Sequence, residues 1–322
     1  MDRNLALEFV RVTEAAAIAA AKWIGRGDKV AADEAAVKAM RSRFNQIDFK
    51  GRVVIGEGEK DESVFFSKEE RLGKGESPVF DIAVDPLECT DSVAYGRENA
   101  MTVIVSGAKG SLLAGPDTYM EKIVAGPGAK KGIDLDASVE ENIKKAAKAL
   151  GKDVREMTVI VLDRPRHEEL IGRIRRVGAR VRLIMDGDVA PAIALSLIDP
   201  EADLMMGIGG STEAVLAAVA VKILGGEMYC RFKPRNEKDR RDLDALGIDV
   251  EKIFSTSDLA KGDSLTFTAT GVIDGPLLQG VRVVSSLRSA TSYVLTHSLV
   301  IRGISGTVRY ITTHHHEHEL NS

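Results

Sequence analysis

Asp85, Glu88, Thr90 and Asp91 follow directly on an apolar run from Val79 to Val84. A buried strand that delivers carboxylates and a hydroxyl to its carboxyl end can hold hard divalent cations beside a substrate, because Asp and Glu oxygens suit Mg²⁺ or Mn²⁺. Pro86 is expected to stop the strand. Thr90 and Asp91 are expected to start a helix whose free N–H groups favour an anion. Together these residues read as a metal–phosphate site. Standing alone they would read better as an acidic strand-to-helix turn, which is common.

Other segments carry matching chemistry. Gly56-Glu57-Gly58-Glu59 follows the short apolar run Val53–Ile55, and its glycines let the backbone approach closely while both carboxylates aim at one point. Asp33 falls just inside a predicted helix, where a carboxylate can also serve only the helix dipole. Three predicted strand ends carry polar clusters: Asp163-Arg-Pro-Arg-His167, Asp186-Gly-Asp188 and Gly209-Gly-Ser-Thr-Glu213. Two arginines flanking a proline suit a phosphate, because guanidinium presents fixed, forked donors. Asp33, Glu57, Asp85, Glu88 and Glu213 thus form a scattered acidic set at strand ends and helix starts. Two cations about 3.5–4 Å apart can clamp a phosphoryl group, activate water and stabilise the leaving oxygen. Without cations these carboxylates would repel one another and a phosphate dianion. The chemistry predicted is a phosphomonoesterase that uses water and forms no covalent phosphoenzyme.

The elements that must position these groups follow from periodicity. Leu5, Phe9, Val12, Ala16, Ala19 and Trp23 recur at helical spacing over residues 4–24, and a second helix is expected from Ala31 to Phe44. Strands are expected at 53–55, 79–84, 100–105 and 112–113. From residue 136 helices and strands alternate: helices at 139–150, 167–177, 189–197 and 212–224, strands at 157–162, 181–185, 204–208 and 228–232. This rhythm predicts a mostly parallel sheet with ligands beyond the strand carboxyl ends. Domains are expected at 1–135 (metal-binding, α+β) and 136–322 (substrate-binding, α/β), with the strand-like residues 264–312 either closing the second sheet or returning to the first. The histidine-rich run from His314 reads as a solvated tail without a catalytic role. Spacing alone gives Tyr119 no more than a packing role.

The chain of 322 residues is 44% hydrophobic and 29% charged, the balance of a soluble globular protein. A net charge of −4 and 5% aromatic residues provide neither the basic field nor the stacking surface of a nucleic-acid binder. No apolar stretch approaches the roughly 20 residues that span a bilayer. Two cysteines, Cys89 and Cys230, make no CxxC pair; with no signal-peptide layout at the N-terminus, a cytoplasmic location is expected.

The motifs Asp85-Pro-Leu-Glu-Cys-Thr90 and Gly56-Glu-Gly-Glu59 resemble those of the metal-dependent sugar phosphatases of the inositol monophosphatase and fructose-bisphosphatase superfamily. Arg11-Val-Thr-Glu14, Gly25-Arg-Gly-Asp-Lys29, Pro116-Asp-Thr-Tyr-Met-Glu-Lys122, Arg164-Pro-Arg-His167, Asp186-Gly-Asp188 and Ala269-Thr-Gly271 extend the resemblance nearly end to end, to the class II fructose-1,6-bisphosphatases. The resemblance implies a layered α/β/α/β/α sandwich. It also implies hydrolysis of fructose 1,6-bisphosphate to fructose 6-phosphate and phosphate, a gluconeogenic reaction, with Mn²⁺ or Mg²⁺ at two or more positions. Asp33 and Glu57 would hold one cation; Asp85, Glu88 and Glu213 would hold the second or be shared. Thr90 and Asp33 would orient and deprotonate the attacking water, with Lys29 near the cleaved phosphate. The backbone of Glu88, Cys89 and Thr90 would face that phosphate. Tyr119, Arg164, Pro165, Arg166, Asp186, Gly187, Asp188 and Gly210 would contact the sugar and its second phosphate. A homo-oligomer, dimer or tetramer, is expected. Sedoheptulose 1,7-bisphosphate is the alternative substrate, and a sugar-phosphate-binding protein without catalysis the alternative of another class.

Two departures from the family pattern stand out. Cys89 occupies a position where glycine is usual; it still supplies a backbone N–H, but a Cβ narrows the pocket and disfavours positive φ. Ser211-Thr-Glu-Ala214 replaces the usual Ala-Pro-Glu-Gly.

Overall fold

The computed structural model describes residues 5–56, 66–285 and 292–316. The chain divides into two compact units, residues 1–109 with 266–322 and residues 110–265.

The first unit opens with α1 (Leu5–Ala21) and α2 (Lys29–Phe44). Phe9, Val12, Ala16 and Ala20 on α1, and Ala32, Ala36, Met40 and Phe44 on α2, are fully buried, as a three- and four-residue apolar spacing requires. Asp28 caps α2 by accepting from the Ala31 N–H at 3.0 Å, and so starts the helix two residues earlier than its apolar pattern suggests. The strands β1 (Lys50–Ile55), β2 (Arg71–Leu72) and β3 (Val79–Glu88) follow, then the short α3 (Thr90–Tyr95) and β4 (Met101–Ala108). Pro86 does not end β3 as expected. The strand continues to Glu88 because its register with β4 shifts between Asp85 and Glu88. A proline without a donor N–H fits such a bulge.

The second unit contains β5 (Tyr119–Ala125), α4 (Val139–Leu150), β6 (Thr158–Leu162), α5 (Glu168–Val177) and β7 (Arg180–Ile184). It continues with α6 (Val189–Ala194), β8 (Leu204–Gly210), α7 (Ser211–Ile223), β9 (Glu227–Phe232), α8 (Glu237–Ala245), β10 (Phe254–Ser255) and α9 (Thr256–Leu259). The sheet order is β10-β9-β5-β8-β6-β7. β6 runs parallel to β7 and β8, but β5 is antiparallel to both β8 and β9. The expected mostly parallel sheet is therefore mixed. The alternating segments do share a direction, and β5, which precedes them in the chain, is inserted between β8 and β9. Leu112 and Leu113 form no strand; Leu112 makes an isolated bridge to Ala260. Ile123, Val159, Val161, Leu204 and Met206 share a core with Ile143 and Ala146 of α4 and Ile171 and Ile174 of α5.

The chain then returns to the first sheet with β11 (Leu265–Gly271), β12 (Arg282–Ser285), β13 (Ser292–Arg302) and β14 (Thr307–His316). The first sheet runs β12-β13-β11-β4-β3-β1-β2, with β14 paired to β13. The division lies at 109/110, not 135/136, because β5 hydrogen-bonds into the second sheet; of the two placements left open for residues 264–312, the return to the first sheet is the one observed. Buried hydroxyls accompany this return: Thr13 of α1 lies 2.7 Å from Thr270, which lies 2.8 Å from Ser298. His314–His316 are not a free tail but the end of β14, and the His315 ring sits 2.9 Å from the buried Thr296 hydroxyl. Each unit is thus a mixed sheet packed with helices, an α/β architecture.

The first unit's core centres on Phe9, Phe44 and Phe49, whose ring centroids lie 5.3–6.0 Å apart. Phe9→Ala is expected to destabilise this unit by about 3–5 kcal/mol. Urea unfolding followed by the fluorescence of Trp23, the single tryptophan, which packs against this core, measures it. A loss below about 1 kcal/mol would contradict the central place given to this ring.

Candidate active site

In the first unit, β3 carries Asp85 and Glu88 to the start of α3. Both are buried, at 1% and 4% exposure, as is Asp33 at 5%. Asp85 turns back over the bulge and accepts from the Leu87 N–H at 3.0 Å. Asp33 sits beyond the first turn of α2, so helix-dipole stabilisation does not account for it. The loop before α2 is tied to α3 by two backbone bonds, Gly25 N–H to Val93 O and Gly27 N–H to Ala94 O, each 2.9 Å. Lys29 then reaches Asp91 at 3.1 Å, an exposed pair. The unit therefore places Lys29, Asp33, Asp85, Glu88, Cys89 and Thr90 on contiguous elements, α2 packing against both β3 and α3. Glu57 lies outside the described residues. Among the described residues, no three His, Cys, Asp or Glu side chains converge as a metal-holding group.

Cys89 adopts φ 72° and ψ 52°, the left-handed conformation, and its buried thiol lies 3.9 Å from Asn99 Nδ2. The position thus has the backbone that favours glycine, and the chain places a Cβ there at some conformational cost.

In the second unit the β5–β8 pairing assembles the residues. Tyr119 stands opposite Gly210, and Lys122 opposite Gly207. Lys122, though charged, is 3% exposed and donates to the buried Asp188 at 2.7 Å. Burial lowers the Lys122 pKa, but Asp188 and Glu213 outweigh it and the net shift is upward. Burial likewise pushes the Glu213 carboxyl up to about 7, against the opposing pull of Lys122. A Cβ on Gly209 would strike Asp188 Oδ2, and one on Gly210 would strike Glu213 Oε2. Glycine at these two positions leaves room for the carboxylates to lie over the backbone. Ser211, one of the departures from the family pattern, is structural here: it donates to Pro116 O at 2.7 Å and accepts from the Thr118 N–H at 3.0 Å. Glu213 lies in the first turn of α7.

Pro165 and Arg166 lie in a short 3₁₀ turn after β6. Arg164 donates to Met185 O at 2.5 Å and to Asp186 at 3.4 Å, beside the turn at Gly187. Arg166 donates twice to Ile208 O, at 3.1 and 2.8 Å, and lies over the Tyr119 ring at 4.8 Å. No carboxylate pairs with Arg166 among the described residues. A guanidinium held by a carbonyl and a ring, without a carboxylate partner, presents the fixed, forked donors that suit an anion.

Four residues given no role from sequence also shape this region. Lys122 signalled itself only as a charge within an apolar strand. Arg235 and Asp239 lay in a charged run that reads as solvated surface, yet they pair at 2.7 Å beside Tyr119. The Arg235 guanidinium holds the Asp239 carboxyl down to about 2. His167 is a buried clamp: it accepts from the Ile208 N–H at 2.8 Å through Nε2, which leaves Nδ1 to donate to Leu162 O at 2.8 Å. Burial lowers its pKa below 6.5.

Two outcomes follow. Cys89→Val, which adds β-branching at positive φ, should cost about 1–3 kcal/mol, whereas Cys89→Gly should stay within about 1 kcal/mol of wild type because relieved strain offsets lost packing. Equal effects of the two substitutions in thermal unfolding would refute the conformational reading. For His167, the unfolded state binds more protons just below pH 6.5. Its contribution to stability is full above that pH and is lost as pH falls toward the lowered folded value. The stability–pH slope in this window should flatten in His167→Gln; an unchanged slope would assign the effect elsewhere.

Over residues 3–315 the chain matches the family described as "Bacterial fructose-1,6-bisphosphatase, glpX-encoded". It is 44% identical to the fructose-1,6-bisphosphatase class 2 of Haemophilus influenzae, covering 99% of this chain and 98% of that one. It is 43% identical to the fructose-1,6-bisphosphatase 1 class 2 of Escherichia coli, covering 98% and 96%. A family match across nearly the whole chain, with relatives this similar over their full length, establishes that the chain belongs to the bacterial glpX-encoded fructose-1,6-bisphosphatase family.

Proposed function

We propose that this protein is a phosphoric monoester hydrolase that cleaves the 1-phosphate of fructose 1,6-bisphosphate, yielding fructose 6-phosphate and inorganic phosphate. The relationship to the fructose-1,6-bisphosphatases over residues 3–315 carries this reading. Divalent cations, Mn²⁺ or Mg²⁺, are the implied cofactor, and the donor set suits them: Asp33, Asp85 and Glu88 are buried carboxylates offering hard oxygen ligands. Asp33, Glu57, Asp85 and Glu88 would hold two or more such cations, and Glu213 would be a further cation ligand. When bound, these supply Lewis-acid polarisation of phosphoryl oxygens and lower the pKa of water.

The chain's own residues have separable tasks. Thr90 and Asp33 would orient the attacking water and take its proton. Lys29 would offset charge on the cleaved phosphate, and the Glu88, Cys89 and Thr90 backbone would face that group. In the second unit, Arg166 supports the reading with its unneutralised guanidinium. With Tyr119, Arg164, Pro165, Asp186, Gly187, Asp188 and Gly210 it would hold the sugar and its second phosphate. No helix among the described residues is long and apolar enough to cross a membrane. The protein would work in the cytoplasm as a homo-oligomer.

Phosphate release from fructose 1,6-bisphosphate, sedoheptulose 1,7-bisphosphate and monophosphate controls, with Mn²⁺ and Mg²⁺ in turn, tests the assignment. Fructose 1,6-bisphosphate should give the highest kcat/KM, and absence of turnover with either metal would overturn it. Asp85→Asn should lower kcat by at least about a hundredfold while the fold persists by circular dichroism, since it removes charge rather than core. Retention of a tenth of the rate would remove Asp85 from the metal set.

A further inference from the structure

Tyr119 carries two guanidinium groups over one ring, Arg166 at 4.8 Å and Arg235 at 5.4 Å from its centroid. Their surroundings differ. Among the described residues, the partners of Arg166 are the Ile208 carbonyl and the ring. Arg235 is neutralised: its Nε lies 2.7 Å from Asp239 Oδ2 and its Nη2 3.2 Å from Oδ1, while Nη2 also donates to Asp117 O at 2.5 Å. Asp239 is buried at 5% exposure and accepts in addition from the Arg235 backbone N–H at 2.9 Å and from the fully buried Thr118 hydroxyl at 2.6 Å. One carboxylate thus fastens the start of α8, the chain at residue 235 and the residue before Tyr119. Charge-assisted, forked bonds of this kind hold geometry as well as charge.

We propose that Arg235 is a positioning residue: braced by Asp239 and Thr118, it holds the Tyr119 ring and, through the ring, keeps the Arg166 guanidinium set for the second phosphate of a sugar bisphosphate. This rests on the reading of Tyr119 and Arg166 as substrate-binding residues. The chemistry favours that division of labour. Two cations about one ring repel each other, and a carboxylate on one of them removes the repulsion while leaving the other's charge for an anion. Arg235 has less such charge to offer, since Asp239 takes its Nε and Nη2, Asp117 O also takes Nη2, and Nη1 lies 3.9 Å from Asp117 Oδ2.

The test uses the full-length enzyme with Mn²⁺ and compares two products as inhibitors. Fructose 6-phosphate retains the sugar and second phosphate; inorganic phosphate retains neither. In Arg235→Met, the KM for fructose 1,6-bisphosphate and the inhibition constant of fructose 6-phosphate should both rise about tenfold, with kcat within about twofold of wild type. The inhibition constant of inorganic phosphate should not move. Arg235→Lys should recover less than half of the loss, because an ammonium lacks the fork. Arg235→Met with Asp239→Asn avoids a stranded buried charge and should show the same pattern, which covers a failure of the single variant to fold. Equal rises for both inhibitors, or a fall in kcat alone, would mark Arg235 as structural and overturn the proposal. Arg166→Met distinguishes the parent reading: if it leaves KM and fructose 6-phosphate inhibition unchanged, the substrate-binding assignment of this region fails, and the brace fails with it.

Discussion

The ladder between β3 and β4 breaks register at Asp85–Glu88 without ending the strand, and the placement of Asp85, Glu88 and Thr90 depends on that break. A continuous pleat would point alternate side chains to opposite faces and carry the strand straight on. The bulge instead lets Pro86 sit where no donor is needed and turns Asp85 back onto the Leu87 N–H. It also delivers Glu88 to a left-handed residue at 89. From that residue the chain can turn at once into α3, so carboxylates, a backbone segment and the Thr90 hydroxyl follow within a few residues. The neighbouring loop at 25–28 is hydrogen-bonded to α3, which puts the start of α2 next to the same turn.

The second unit solves a different problem, that of burying charge. Lys122, Asp188 and Glu213 lie over a glycine backbone that has no Cβ to obstruct them. Buried ions are tolerated when paired, and a missing partner leaves the other costly. Alongside, Arg166 has no carboxylate partner among the described residues whereas Arg235 is paired with Asp239. The proposed division between a binding group and its support rests on that asymmetry.

Much of this was legible from residue types. The helices at 139–150 and 31–44 announce themselves by apolar spacing, and the carboxylate motif with its flanking strands reads as metal–phosphate chemistry. Local signals failed where pairing partners are distant. The parallel rhythm after residue 136 says nothing of β5, which enters that sheet from earlier in the chain and runs against it. Pro86 reads as a stop unless the partner strand's register is known. Lys122 and Asp239 look like ordinary surface charges in a linear sequence, because burial is a property of the assembled unit and not of the residue; Arg235 stays exposed but is paired with Asp239.

The sequence by itself determined the α/β class, the identity of the acidic, hydroxyl and arginine residues, and the chemistry that hard oxygen ligands and forked guanidinium donors can perform. These depend on side-chain type and on spacings within one element. Tertiary structure decided which strands share a sheet, that the chain returns after residue 265 to complete the first one, and that Cys89 carries the backbone of a glycine. It also decided which arginine has a carboxylate partner. Each of these is set by hydrogen bonds and ion pairs between residues far apart in the chain, such as Thr13 with Thr270 and Thr118 with Asp239. Local propensity does not encode such pairings.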